Sequence, residues 1–224
     1  MKFTVAIQGF FRTEKEMKIF FIRLIRNFSF EFNFCIFYLM SDLRRLAIQN
    51  KKEAIVLLLQ QGADVNQQDS DGYTALSYAC WHNRTEIVEI LLQNKKINVN
   101  LQNNYGNSPF SVACANDKRY ESARLMLLDP RVDINLANNI GWSPLILACY
   151  NGYTKTVQLL ISFGRNIDIL KKSTKDYYGI KSGSTALDVA KQRNRTDIVQ
   201  LLQQYIINPK ETQKNTHKSA VSQR

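Results

Sequence analysis

Four cysteines, two histidines and a recurring set of aromatic residues are the side chains of this 224-residue chain best suited to chemistry or to gripping a ligand. The histidines are His82 and His217, which leaves little for imidazole-based metal binding or general-base work. No Gly-rich phosphate loop, no H-E-x-x-H and no C-x-x-C pair occurs, so the enzyme classes that announce themselves by motif have no support. Asp64, Asp69 and Asp71 could be taken for paired catalytic carboxylates, but they fall in turns that need acids structurally. Asn83-Arg84-Thr85 and Asn194-Arg195-Thr196 match the N-glycosylation acceptor, and both read more simply as turns followed by a helix-capping residue. We therefore expect no catalytic residue, no cofactor and no metal.

The elements that must position these side chains repeat. Aligned segments begin at Asp69 (DSDGYTALSYACWHNRTEIVEILL), Asn103 (NNYGNSPFSVACANDKRYESARLMLL), Asn138 (NNIGWSPLILACYNGYTKTVQLLI) and Gly183 (GSTALDVAKQRNRTDIVQLL). The glycines Gly72, Gly106 and Gly141 are spaced by 34 and 35 residues. Each unit reads as a turn, a short helix, a second turn and a second helix, which is the pattern of a stacked helical solenoid. Thr74, Ser108, Ser143 and Thr185 supply a hydroxyl at the helix N-cap, and Pro109 and Pro144 follow at the first helical position. Ile87, Ile90 and Leu91 give the second helix an apolar stripe that no single unit can bury alone.

These residues resemble the ankyrin repeat family. Its TPLH-x-A signature stands here as Thr74-Ala75-Leu76-Ser77, Ser108-Pro109-Phe110-Ser111, Ser143-Pro144-Leu145-Ile146 and Thr185-Ala186-Leu187-Asp188, followed by Ala79, Ala113, Ala148 and Ala190. The second half of the family's unit is clearest at Leu57-Leu58-Leu59-Gln60-Gln61-Gly62-Ala63-Asp64-Val65-Asn66. The resemblance covers residues 41–205 as five units, near 41–68, 69–102, 103–137, 138–170 and 171–205. The histidine of the signature is missing in every unit, so its hydrogen bond between repeats is expected to be absent. The implied fold is an all-α solenoid with short β-hairpin turns. Cys80, Cys114 and Cys149 follow the fixed Ala of successive units, at sites about 10 Å apart for ordinary helix spacing. That is too far for a disulfide, so they read as buried free thiols of an intracellular, cytoplasmic protein.

In the family, the residue after the turn glycine and the residue two after the fixed Ala face the partner. Carried onto this chain, those positions are Tyr73 and Trp81, Asn107 and Ala115, and Trp142 and Tyr150. The resemblance thus implies two aromatic walls about 20 Å apart, above a floor of Asn107 and Ala115. His82, Tyr105 and Asn151 join them as candidate partner-binding residues. Nine residues appear inserted between Asp168 and Gly183, and their Tyr177 and Tyr178 are candidates too. The Lys-rich insertion could grip an acidic partner or a single nucleic-acid strand.

The net charge of +11 is uneven: residues 1–40 carry +3, residues 41–170 carry +1 and residues 171–224 carry +7. Ten of the 12 Phe lie in residues 1–40, where Lys18, Arg23, Arg26 and Glu31 break up any spanning helix. Three readings of that segment stand: a membrane-surface anchor, an apolar cap, or sequence upstream of a start at Met40, the last favoured because Ser41-Asp42 opens onto a helix N-cap. The chain from residue 206 to 224 reads as a disordered basic tail. The expected function is a non-catalytic, monomeric scaffold that binds another protein on a concave groove and hairpin tips. The alternatives are a membrane-attached adaptor through residues 1–40, or a weak, non-specific nucleic-acid binder through the basic C-terminal region, with a nuclear or membrane-associated location. No specific nucleic-acid partner is expected, and membrane contact only through residues 1–40.

Overall fold

A computed structural model describes residues 42–211. The Phe-rich segment, the start at Met40-Ser41 and most of the basic tail lie outside them. Five helix pairs follow in order: α1 (Leu43–Ile48) with α2 (Lys52–Gln60), α3 (Ala75–Trp81) with α4 (Thr85–Gln93), α5 (Pro109–Cys114) with α6 (Tyr120–Leu128), α7 (Pro144–Asn151) with α8 (Thr154–Ser162), and α9 (Ala186–Gln192) with α10 (Thr196–Ile207). The first helices pack on one another in chain order, and the second helices form a parallel layer behind them.

The expected caps start the first helices. Thr74 and Ser108 accept from the backbone N–H of Ser77 and Ser111 at 3.1 Å, and Ser143 accepts from Ile146 at 3.4 Å. Thr185 and Asp188 form a reciprocal capping box. Ala79, Ala113, Ala148 and Ala190 are buried at the layer's centre, where a larger side chain would hold neighbouring helices apart. Ile87, Val88 and Leu91 of α4, like Val157, Leu160 and Ile161 of α8, close on the same continuous core.

The all-α solenoid forms as expected, and three of its details differ. No strand forms among the described residues: each hairpin is a tight turn, closed by Gly72 N–H to Asp69 O at 3.0 Å and Asp69 N–H to Tyr73 O at 3.1 Å in the second unit. The lost histidine bond is replaced elsewhere. Asn66, Asn100 and Asn135 each donate through Nδ2 to the carbonyls of Lys96, Arg131 and Asn166, and accept through Oδ1 from the N–H of Asn98, Asp133 and Asp168. That asparagine ladder ties the first four units to one another.

The same ladder fixes the register of the insertion. Asp168 stands where Asp133 stands one unit earlier, so the equivalent of Asn135 is Leu170. From Leu170 to Gly183 is 13 residues against six in the other units, and the insertion is seven residues rather than nine. The 35-residue spacing has its own cause: a single-turn 3₁₀ helix at Asp117–Arg119 adds one residue between α5 and α6. Finally, α10 runs to Ile207, so the helix takes two residues from the segment read as tail.

Cys80, Cys114 and Cys149 are free and buried, as expected. Burial pushes the Cys80 thiol up to about 12 and raises Cys114 and Cys149 as well. The thiolate is the reactive species. In a Cys35→Ser variant these three thiols are therefore expected to resist an aromatic disulfide reagent near neutral pH, and to react fully once urea unfolds the chain. Fast native-state labelling would show the units to be looser than described.

Candidate functional site

The aromatic side chains gather into two clusters, and the two differ. In the first, Trp81 ends α3 and its ring meets Tyr73 edge-on, with centroids 6.1 Å apart. Tyr73 in turn lies 5.5 Å from Tyr78. The guanidinium of Arg119, from the following unit, sits 4.3 Å over the Trp81 ring. Arg119 is itself fixed, donating to the Val112 carbonyl at 2.8 Å. Trp81 nonetheless keeps 45% of its surface open. The ring is therefore presented in one orientation rather than left free to collapse.

Below it, Asp69 organises the turn. Its carboxylate accepts the N–H groups of Asp71 and Tyr73 at 3.0 and 2.8 Å and the Tyr78 hydroxyl at 2.7 Å. Burial opposes ionisation of Asp69, but those hydrogen bonds, helped by Arg44, outweigh it and hold the carboxyl below its ordinary value. The same bond to Asp69 pushes the Tyr78 hydroxyl up to about 12. His82 follows Trp81 and is exposed. Desolvation, then Arg84 and Arg119, lower its pKa, so His82 is neutral at physiological pH.

The second cluster is closed. Trp142 is 2% exposed, covered by Tyr150 at 4.8 Å and by Tyr177 of the insertion at 5.2 Å. Its indole Nε1 has no hydrogen-bond partner among the described residues. The expectation of a second open aromatic wall is thus corrected for Trp142: the inserted tip folds back and makes the ring part of the core. Tyr150 is half-buried and carries Arg193 over its face at 4.4 Å. Between the clusters, the half-buried Asn107 accepts from Asn138 Nδ2 at 3.1 Å, and Ala115 is half-buried too. Asn151 is spent on its own helix, donating to the Leu147 carbonyl at 2.9 Å. Tyr105 stands exposed at its tip, with its carbonyl accepting the Asn139 N–H at 3.1 Å.

The inserted tip is a small hairpin. Tyr177 and Ile180 exchange both backbone hydrogen bonds at 2.9 Å around Tyr178 (φ 42°) and Gly179 (φ 83°). Positive φ at both central residues is the two-residue turn that matches strand twist, and a bulky Tyr at the first of them is unusual. Ile180 is buried beneath, while Tyr178 projects with 76% of its surface open.

Sequence reasoning missed Arg119 and Arg193, the two cations that sit on the rings. Arg193 occupies the register of His82 and Asn151 relative to the fixed Ala, which was a readable signal. Arg119 closes the extra 3₁₀ turn, whose trace in the sequence is the 35-residue glycine spacing, but that spacing does not say where its guanidinium lands. Among the described residues no group of His, Cys, Asp and Glu could hold a metal ion, and no helix is long and apolar enough to cross a membrane.

A stack of capped helix pairs with a preformed, partly open aromatic face defines a repeat protein built to present a surface. The family model described as "Ankyrin repeats (3 copies)" matches residues 44–138 and 125–213, and the chain belongs to that family. Ankyrin repeats generally mediate protein–protein interaction, and the family is typically non-catalytic. The chain is similar to BCL-6 corepressor-like protein 1 of Mus musculus, 40% identical over 76 residues, which is 34% of this chain and 4% of that protein. It is also similar to "Probable E3 ubiquitin-protein ligase XBOS33" of Oryza sativa subsp. japonica, 43% identical over 54 residues, 24% of this chain and 10% of that protein. The chain therefore spans a small part of the length of these relatives.

Proposed function

We propose that residues 41–205 form a non-catalytic scaffold that docks a protein partner on the face made by the first helices and the hairpin tips, with Trp81 as its central anchor. The observation that carries this reading is an open Trp held in place from two sides, by the edge of Tyr73 and the guanidinium of Arg119. Trp, Tyr and Arg are the residues that dominate binding energy at protein interfaces. Because Trp81 is ordered before binding, little side-chain entropy is lost on docking. Tyr73, His82 and the exposed Tyr105 extend the same face, and Asn107 and Ala115 leave shallow ground beside it. Tyr150 contributes a half-open edge, whereas Trp142 supports the surface from within. The asparagine ladder keeps the first four units in register, so the partner meets one rigid surface.

The test uses the full chain as bait, wild type beside Trp81→Ala. A protein retained specifically by the wild type is expected to lose at least about tenfold in affinity with the variant. Unfolding free energy should change by about 2 kcal/mol or less, because the ring is half open and its contacts with Tyr73 and Arg119 are worth about 1 kcal/mol each. Undiminished retention by Trp81→Ala would remove the anchor from the account.

A further inference from the structure

We infer that the last unit carries a second docking surface, separate from Trp81, which takes an acidic peptide segment along the inserted tip and the adjoining end of α9. Residues 171–195 hold seven Lys and Arg against two Asp. Both Asp are already engaged. Asp176 accepts from the Ser182 N–H at 2.8 Å and from Lys181 Nζ at 3.0 Å. Asp188 accepts from the Thr185 N–H at 2.9 Å and from its hydroxyl at 2.7 Å, closing the cap of α9. Those bonds, with Lys191 and Lys172 behind them, hold the Asp188 carboxyl below its ordinary value. The Ser173 N–H donates to the Ser184 carbonyl at 2.9 Å, which sets Lys172 beside the start of α9, and Lys191 lies one turn on from Asp188 in that helix.

Beside it the guanidinium of Arg193 sits over the Tyr150 ring at 4.4 Å, which holds its charge in place at this surface. Lys172, Lys175, Lys191 and Arg193 are exposed, so the excess positive charge faces solvent. Within the tip, Asp176 shows the kind of contact a carboxylate can make, with one ammonium and one backbone N–H. Carboxylate-rich peptide complements such a patch through charge-assisted hydrogen bonds.

The rings argue against a nucleic-acid strand. Sequence-tolerant strand binding needs successive open ring faces for stacking. Here Arg193 covers Tyr150, Trp142 is buried, and Tyr177 is packed against Trp142 and Tyr178. Tyr177, 40% exposed, and the open Tyr178 meet edge-on with centroids 4.6 Å apart, so they offer no run of parallel faces.

The test measures fluorescence anisotropy of a dye-labelled peptide of alternating Glu and Gly with the full chain, beside a peptide of alternating Lys and Gly and an oligothymidine of equal length, at about 0.15 M salt. The Glu peptide should bind best, and Lys172→Gln/Lys175→Gln/Arg193→Gln should lower its affinity at least about tenfold. The control triple Lys210→Gln/Lys214→Gln/Lys218→Gln, which neutralises the chain end, should change it less than about twofold, as should Trp81→Ala. Loss confined to the chain-end triple or to Trp81→Ala would overturn the proposal, as would oligothymidine binding more tightly than the Glu peptide. The reading of Trp81 would stand in the first and third of those cases.

Discussion

Trp142→Ala is expected to lower the unfolding free energy by about 3–5 kcal/mol, the range for truncating a buried aromatic residue of this size. The indole is sealed by Tyr150 and Tyr177 and lies in the continuous core, so its removal leaves a void that the rigid backbone of α7 fills poorly. Trp142→Phe should recover much of the loss, because it keeps a ring under Tyr177 and removes an indole N–H that has no partner among the described residues. Urea unfolding followed by far-ultraviolet circular dichroism reads both values. A loss from Trp142→Ala no larger than that from Trp81→Ala would mean that the inserted tip does not close over the ring.

Gly106→Ala is expected to cost at least about 2 kcal/mol, from left-handed strain and a backbone collision together. Gly106 has φ of 78°, and a Cβ there would stand 2.6 Å from the backbone nitrogen of Asn139 in the next unit. That nitrogen donates to the Tyr105 carbonyl, one of the bonds that stitch neighbouring tips together. Relief would have to come from parting two repeats. Gly164→Ala is the control: its φ is 77° with no atom near the added carbon, so it carries the strain alone, about 1 kcal/mol. Equal melting temperatures for the two variants would show that the tips are not in close contact.

Much of the fold was legible in the chain because the repeat states it several times over. The cap hydroxyls, the prolines behind two of them, the fixed alanines and the buried cysteines each recur at matched positions, and each does locally what its chemistry suggests. The candidate face was legible in part. Trp81 and Tyr73 were found because they follow landmarks of the unit. Trp142 follows the same landmarks, and its burial was hidden because it depends on seven inserted residues folding back from the next unit. The length of that insertion is hidden too: counted from Asp168 it reads as nine residues, and only the asparagine ladder shows that Leu170 stands in the place of Asn135. Arg119 was missed because a single extra residue in a 3₁₀ turn decides where its guanidinium lands. Contacts within a unit are written in its repeat, whereas contacts that depend on irregularities between units are not.

The central claim is that a partner docks against the ring of Trp81. A photo-crosslinking phenylalanine analogue placed at position 81 of the full chain tests it most directly, compared with the same analogue at Leu128, an apolar side chain 57% exposed at the end of α6 in the second-helix layer. On irradiation in cells, position 81 should yield a discrete covalent adduct with a partner protein, and position 128 should yield none above background. Adducts formed equally from both positions, or from Leu128 alone, would contradict the account.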